Sequence, residues 1–202
     1  MEKHIYVILS HTNTKIGKMI RCFSNYTYSH VSISTENSLQ PLYSFARYRY
    51  DSAFVGGFVE ESPLRYLYNG KNTKIRIYEI SVTEEQFQHF QSMIALYKKN
   101  QNDYIYDCFY FFRNDACRTQ YQHICLSFVV SILKNMNIFS SNLHIHTIKD
   151  LADALSQFPY TETEISQNSK PDYTWGNDRF YETVPFNKTV STTIRQFQKL
   201  LS

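Results

Sequence analysis

Apolar and polar positions alternate with two different periods along this chain, and the change of period marks its elements. Residues 5–9 (Ile-Tyr-Val-Ile-Leu) form a continuous apolar run of β-favouring types, the pattern of a central strand. Ile16, Met19, Ile20 and Phe23 then recur at helical spacing and predict a short helix packed on that strand. From His30 to Ser34 the period falls to two, with Val31 and Ile33 on one side and His30, Ser32 and Ser34 on the other. Glu36-Asn37-Ser38 reads as a turn and 42–46 as the returning strand. Gly56-Gly57 marks backbone that needs freedom, a loop beside a cleft or a bulge. Residues 75–80 give a further strand.

The second half turns helical. Thr83-Glu84-Glu85-Gln86 is a capping box, followed by Phe87, Phe90, Ile94 and Tyr97 on one face. The aromatic stretch 104–112 fits a helix or a strand; a helix is favoured, since it would pair with its successor, a helix that opens near Ile124 and carries Leu126, Val129, Val130 and Leu133. Thr147-Ile148-Lys149-Asp150 repeats the capping pattern before Leu151, Ala154 and Leu155. Beyond Gln157 the chain turns polar, with Pro159, Pro171 and Pro185, and ends in an expected helix over 192–201. The pattern predicts an α+β domain over 1–158, with 159–202 as an extension packed on it.

Composition narrows the function classes. With 202 residues, 43% hydrophobic and 19% charged, the chain is long enough for one globular core. Its 17 Tyr and 15 Phe must fill much of that core and of any cleft. The net charge of +3 is scattered without a basic stripe, so no nucleic-acid partner is expected. The apolar start is shorter than a secretory h-region, and 104–112, broken by Asp107, is too short to span a bilayer, so a cytoplasmic protein with no integral membrane segment is expected. Four cysteines (22, 108, 117, 125) form no disulfide framework. Cys117, His123, Cys125, His144 and His146 match no zinc spacing, so neither metal nor other cofactor is expected.

Three residues carry the candidate chemistry. Cys125 falls in the opening turn of an amphipathic helix, where the helix dipole favours a thiolate and free amides can receive an oxyanion. His30 stands on the polar side of its strand, from which an imidazole can reach a thiol presented by an overlying helix. With Asn37 at the centre of the turn, Ser44 lies opposite His30 and can orient the ring through its distal nitrogen.

These segments resemble a known group. Tyr28-Ser29-His30-Val31-Ser32-Ile33-Ser34 with Leu42-Tyr43-Ser44-Phe45 looks like the histidine hairpin of permuted NlpC/P60-type, papain-like proteins, and His123-Ile124-Cys125-Leu126-Ser127-Phe128-Val129-Val130 like their cysteine helix. Phe54-Val55-Gly56-Gly57-Phe58-Val59-Glu60 resembles segments of relatives of the YiiX type. The group includes YiiX/YaeF-like amidases and lecithin-retinol-acyltransferase-like enzymes, and the likeness covers roughly 4–156. It implies a permuted papain-like fold in which an antiparallel sheet or small barrel packs against the cysteine helix. The implied activity is cysteine-dependent amide hydrolysis through a thioester, on a small amide, peptide or lipid-like acyl substrate. The alternatives are lipid acyl transfer or phospholipid hydrolysis on the same scaffold, and a catalytically silent binding module. Cys125 would be the nucleophile and His30 the base. The Cys125 amide and Tyr28 would hold the oxyanion, with Gly56, Gly57 and Glu60 beside the substrate. Many relatives carry an acidic residue where Ser44 stands; Glu60 or Glu61 could take that role, or the pair could act as a dyad.

Overall fold

A computed structural model of the protein describes residues 2–52, 55–107, 121–166, 173–182, 193–194 and 198. It is an α+β structure with a six-stranded antiparallel sheet and four helices among these residues. Strands β1 (Lys3–Ser10), β2 (His30–Ser34), β3 (Leu42–Arg47), β4 (Gly56–Glu61), β5 (Thr73–Val82) and β8 (Tyr160–Ile165) assemble in the order β4-β3-β2-β1-β5-β8. The sheet is open, with β4 and β8 at its edges. Two-residue strands β6 (Ile105–Tyr106) and β7 (Gln122–His123) pair separately and in parallel.

Period-two alternation sorts the sheet's two faces, because successive side chains leave a strand on opposite sides. Ile5, Val7 and Leu9 of β1, Val31 and Ile33 of β2, and Tyr43 and Phe45 of β3 enter the larger core. Helices α2 (Glu84–Lys99), α3 (Cys125–Asn135) and α4 (Ile148–Leu155) supply its other half, through Phe90, Ile94, Phe128, Val129, Leu133 and Leu151. The aromatic richness is used here: Phe45, Phe58, Tyr97 and Phe128 pack ring against ring at 5.0–6.1 Å between centroids. On the opposite face Tyr6, Ile8, Leu42 and Ile75 form a smaller core, covered by a 3-10 segment, Pro63–Gly70, through Tyr66.

Caps fix the helix starts. Thr83 accepts from the Gln86 amide at 3.1 Å while the Gln86 side chain accepts from the Thr83 amide at 2.9 Å. Thr147 and Asp150 repeat the exchange at the start of α4. The short helix α1 (Lys15–Ser24) is capped by Thr14. It lies so close to the preceding loop that a Cβ on Gly17 would collide with the Thr12 side chain.

The structure corrects several expectations. Ile105–Tyr106 is a strand rather than part of a helix over 104–112, because the Ile105 and Asp107 amides bond across to the Tyr121 and His123 carbonyls; residues 108–112 lie outside the described residues. Gly56 and Gly57 belong to a regular strand, not a loop or bulge, paired with Arg47 and Ala46. Their missing side chains make room: a Cβ on Gly56 would fall on the Ala46 carbonyl, and one on Gly57 on the Tyr48 hydroxyl. The polar stretch after Gln157 contains β8, which extends the sheet by pairing with β5. Of the helix expected over 192–201, Thr193, Ile194 and Gln198 are described and helical; the remainder lies outside the described residues.

Among the described residues, no helix is long and apolar enough to cross a membrane.

Candidate active site

Cys125 is the first residue of α3. Its N-cap, Ile124, has no side-chain acceptor to offer the first turn. Instead Ser127 turns back, accepting from the Ile124 amide at 3.0 Å and donating to the Ile124 carbonyl at 3.2 Å. A helix's first amides have no partner within the helix, and here no carboxylate stands in the first turn to occupy them. Cys125 is 8% exposed and lines a small cleft of about 70 Å³. Cys22, the other free cysteine among the described residues, is exposed on α1; Cys108 and Cys117 lie outside the described residues.

His30, the first residue of β2, faces the same cleft. Its strand position is set by β1, where it pairs with Ser10, and by the Ser29 amide donating to the Ser10 carbonyl at 3.0 Å. Its Nε2 lies 2.9 and 3.0 Å from the two carboxylate oxygens of Glu61. Nδ1 is therefore the ring nitrogen that Glu61 does not engage, and Cys125 lines the same cleft as the ring. Burial disfavours a charge on the imidazole, but Glu61 and Cys125 outweigh it and hold His30 well above its usual range.

Glu61 ends β4 with its side chain wholly buried. Besides His30 it accepts from the Tyr66 hydroxyl at 2.7 Å, Ser32 Oγ at 3.0 Å and Arg65 Nη1 at 3.1 Å. Burial pushes the carboxyl up, yet His30 and Arg65 together hold it well below the carboxylate range. Arg65 in turn grips Asp178, with Nε to Oδ2 at 2.7 Å and Nη2 to Oδ1 at 2.6 Å.

The loop before α1 makes one cleft wall and is itself pinned. Ser29 Oγ receives the Thr12 amide and Arg21 Nη1, each at 3.1 Å, and Arg21 Nη1 also reaches the Thr12 carbonyl at 2.6 Å. Ile16 and Ile20 of α1, Ala46 and Arg47 of β3, Tyr106 and Phe180 complete the walls.

Five sequence-based site residues fall elsewhere. The β2–β3 hairpin pairs Ile33 with Tyr43, which centres its turn on Ser38 rather than Asn37. Ser44 therefore comes level with Ser32, and its hydroxyl donates to the Val31 carbonyl at 2.9 Å instead of meeting His30. Tyr28 is buried in the larger core, its hydroxyl pushed up to about 12 by burial and by Glu162, to which it donates at 3.0 Å. Gly56 and Gly57 serve strand packing, as above. Glu60, one residue from Glu61, leaves the strand on the other face and pairs with Lys98 at 2.7 Å.

Glu61 was one of two glutamates the sequence offered, and the pleat decides between them. Tyr66, Arg65 and Asp178 were missed. A signal for Arg65 existed in the i, i+4 spacing from Glu61 and in Pro63 following the capping Ser62. Nothing local points to Asp178.

Among the described residues no cluster of three or more His, Cys, Asp or Glu side chains could hold a metal ion. No family model matches this sequence, and no curated protein and no solved structure matches it either.

Proposed function

We propose that the chain is a cysteine-dependent amide hydrolase of the permuted papain-like kind, with Cys125 as nucleophile, His30 as base and Glu61 as the orienting acid. The observation that carries this reading is the buried Glu61 carboxylate on His30 Nε2, in a cleft that the thiol at the start of α3 also lines. The order supports it too: the histidine strand precedes the cysteine helix, as the permuted arrangement requires.

The chemistry follows from that placement. His30 Nδ1 takes the thiol proton, and the sulfur attacks the carbonyl carbon of the scissile amide. The oxyanion is received by first-turn amides of α3, including that of Cys125. His30 then returns its proton to the departing amine, leaving a thioester. A water that gives its proton to His30 cleaves the thioester, releasing the acid and restoring the thiol. Throughout, Glu61 keeps the ring in one orientation and balances the imidazolium.

The substrate class is an amide or peptide narrow enough for this cleft. A second reading, acyl transfer from a lipid-like donor, rests on the apolar part of the wall, Ile16, Ile20, Phe45 and Phe180.

Profiling with electrophilic amide and acyl-ester probes tests both. Labelling of wild type and none of Cys125→Ala is the expected result, with amide probes preferred. Equal labelling of the two proteins would falsify the nucleophile assignment, and preference for long-chain acyl esters would favour the second reading.

A further inference from the structure

The site contains a charge that the hydrolytic mechanism does not use. Arg65 is 6% exposed and lies one shell behind the glutamate that holds the base. A buried guanidinium cannot relieve itself by losing a proton. Its neighbours must balance it, and the manner of that balance bears on His30.

Asp178 supplies the balance from the C-terminal extension. Both its oxygens are held by Arg65, and its side chain is itself fixed by the Ser62 amide at 2.8 Å and the Phe180 amide at 3.0 Å. Residues 173–182 are tied down around it. Ser62 Oγ donates to the Thr174 carbonyl at 2.7 Å, and the Tyr50 amide donates to the Phe180 carbonyl at 2.9 Å. The Phe180 ring, which lines the cleft, lies 4.7 Å from the Arg65 guanidinium.

The buried charges thus alternate along one line: His30, Glu61, Arg65, Asp178. With all four present, each cation faces an anion. Without Asp178, one carboxylate must serve two cations, and only His30 can shed its charge. Other charged or titratable groups near the ring are Cys125 from α3, Tyr66 from the 3-10 segment, Tyr106 from β6, Arg47 from β3 and Arg21 behind Ser29. Among these described neighbours none is a carboxylate that could replace Asp178.

We propose that Asp178 is a positioning residue for the His30–Cys125 pair, acting through Arg65 and Glu61, so that the C-terminal segment completes the site. This inference rests on the functional reading above. It makes the extension part of the machinery: any event that lifts residues 173–182 away uncovers one cleft wall and weakens the base in the same movement.

The test is the protonation of His30, followed by NMR of its ring in the full chain, with the iodoacetamide rate of Cys125 at pH 6 as a second readout. Asp178→Asn should lower the His30 midpoint by about one pH unit, a tenfold loss of proton affinity, and slow alkylation several-fold. Asp178→Glu should recover part of both. The double variant Arg65→Gln/Asp178→Asn, which removes the surplus cation with its partner, should return the midpoint towards wild type, whereas damage to packing alone would not be repaired. If Asp178→Asn does not fold, Arg65→Gln compared with the double variant makes the same measurement, and loss of Asp178 must again lower the midpoint. A folded Asp178→Asn with the wild-type midpoint, or a double variant as low as the single one, overturns the proposal. A wild-type His30 titrating near the ordinary 6.5 removes the functional reading and this inference together; a raised wild-type midpoint that Asp178→Asn leaves unmoved removes this inference alone.

Discussion

Replacing Glu61 by Gln keeps the size of the side chain and removes one negative charge from the centre of the site. The carboxylate is wholly buried and accepts from His30, Ser32, Arg65 and Tyr66. Breaking a buried ion pair by removing one partner costs about 3–5 kcal/mol. Two features place this case at the lower end. Arg65 retains Asp178, and His30 can give up its proton cheaply near neutrality, since its ordinary value is 6.5. The expected loss is about 3 kcal/mol at pH 6.

The pH dependence follows from the directions of the two shifts. His30 holds its proton more tightly folded than unfolded, so its contribution is complete below 6.5 and is lost as pH rises through the raised folded value. Glu61 holds its proton less tightly folded, so its contribution is complete above 4.5 and is lost as pH falls through the depressed folded value. Both are complete between those two ordinary values, and there the gap between wild type and Glu61→Gln is widest. Urea unfolding at pH 5.5, 7 and 9 measures this, read as a shift in midpoint at constant slope. A gap below about 1 kcal/mol at pH 5.5, or one that grows from pH 5.5 to 9, would refute the pairing argument.

Two further substitutions test the corrected geometry. Ser44→Ala should cost about 1 kcal/mol, the worth of its bond to the Val31 carbonyl, and leave Cys125 alkylation unchanged at every pH; a several-fold fall in alkylation would restore Ser44 to the site. Gly56→Ala forces a Cβ onto the Ala46 carbonyl and should lower stability by about 2 kcal/mol or more, seen as a drop in Tm; an unchanged Tm would show that β3 and β4 can part without cost.

Local signals in the sequence located most of the elements and two of the three proposed catalytic residues. The Thr83 and Thr147 caps were visible because each is closed within four residues. Strand β2 was visible because an apolar face and a polar face, both buried, alternate strictly along it, and that alternation also turned His30 away from Val31 and Ile33. Cys125 was visible because an amphipathic helix starts where it stands. Strand β8 was not: it is an edge strand with Thr and Glu facing water, and an exposed polar strand leaves no hydrophobic trace.

The third member shows where the sequence stops and the fold takes over. Pairing rules offered Ser44, but the loop pinned by Ser34, whose hydroxyl donates to the Glu36 and Pro41 carbonyls, moves the turn centre by one residue. In a pleated strand such a displacement changes every cross-strand partner. Glu60 and Glu61 differ by one position, and only the face that β4 turns towards Tyr66 selects the second. Asp178 meets Arg65 across 113 residues of chain. The sequence by itself determined where a thiol and an imidazole would stand on their own elements, since helix starts and strand faces are set by neighbouring residues. Only the tertiary structure decided which charges surround them, because a buried carboxylate is stable wherever the folded chain brings cations to it, however distant in sequence those cations are.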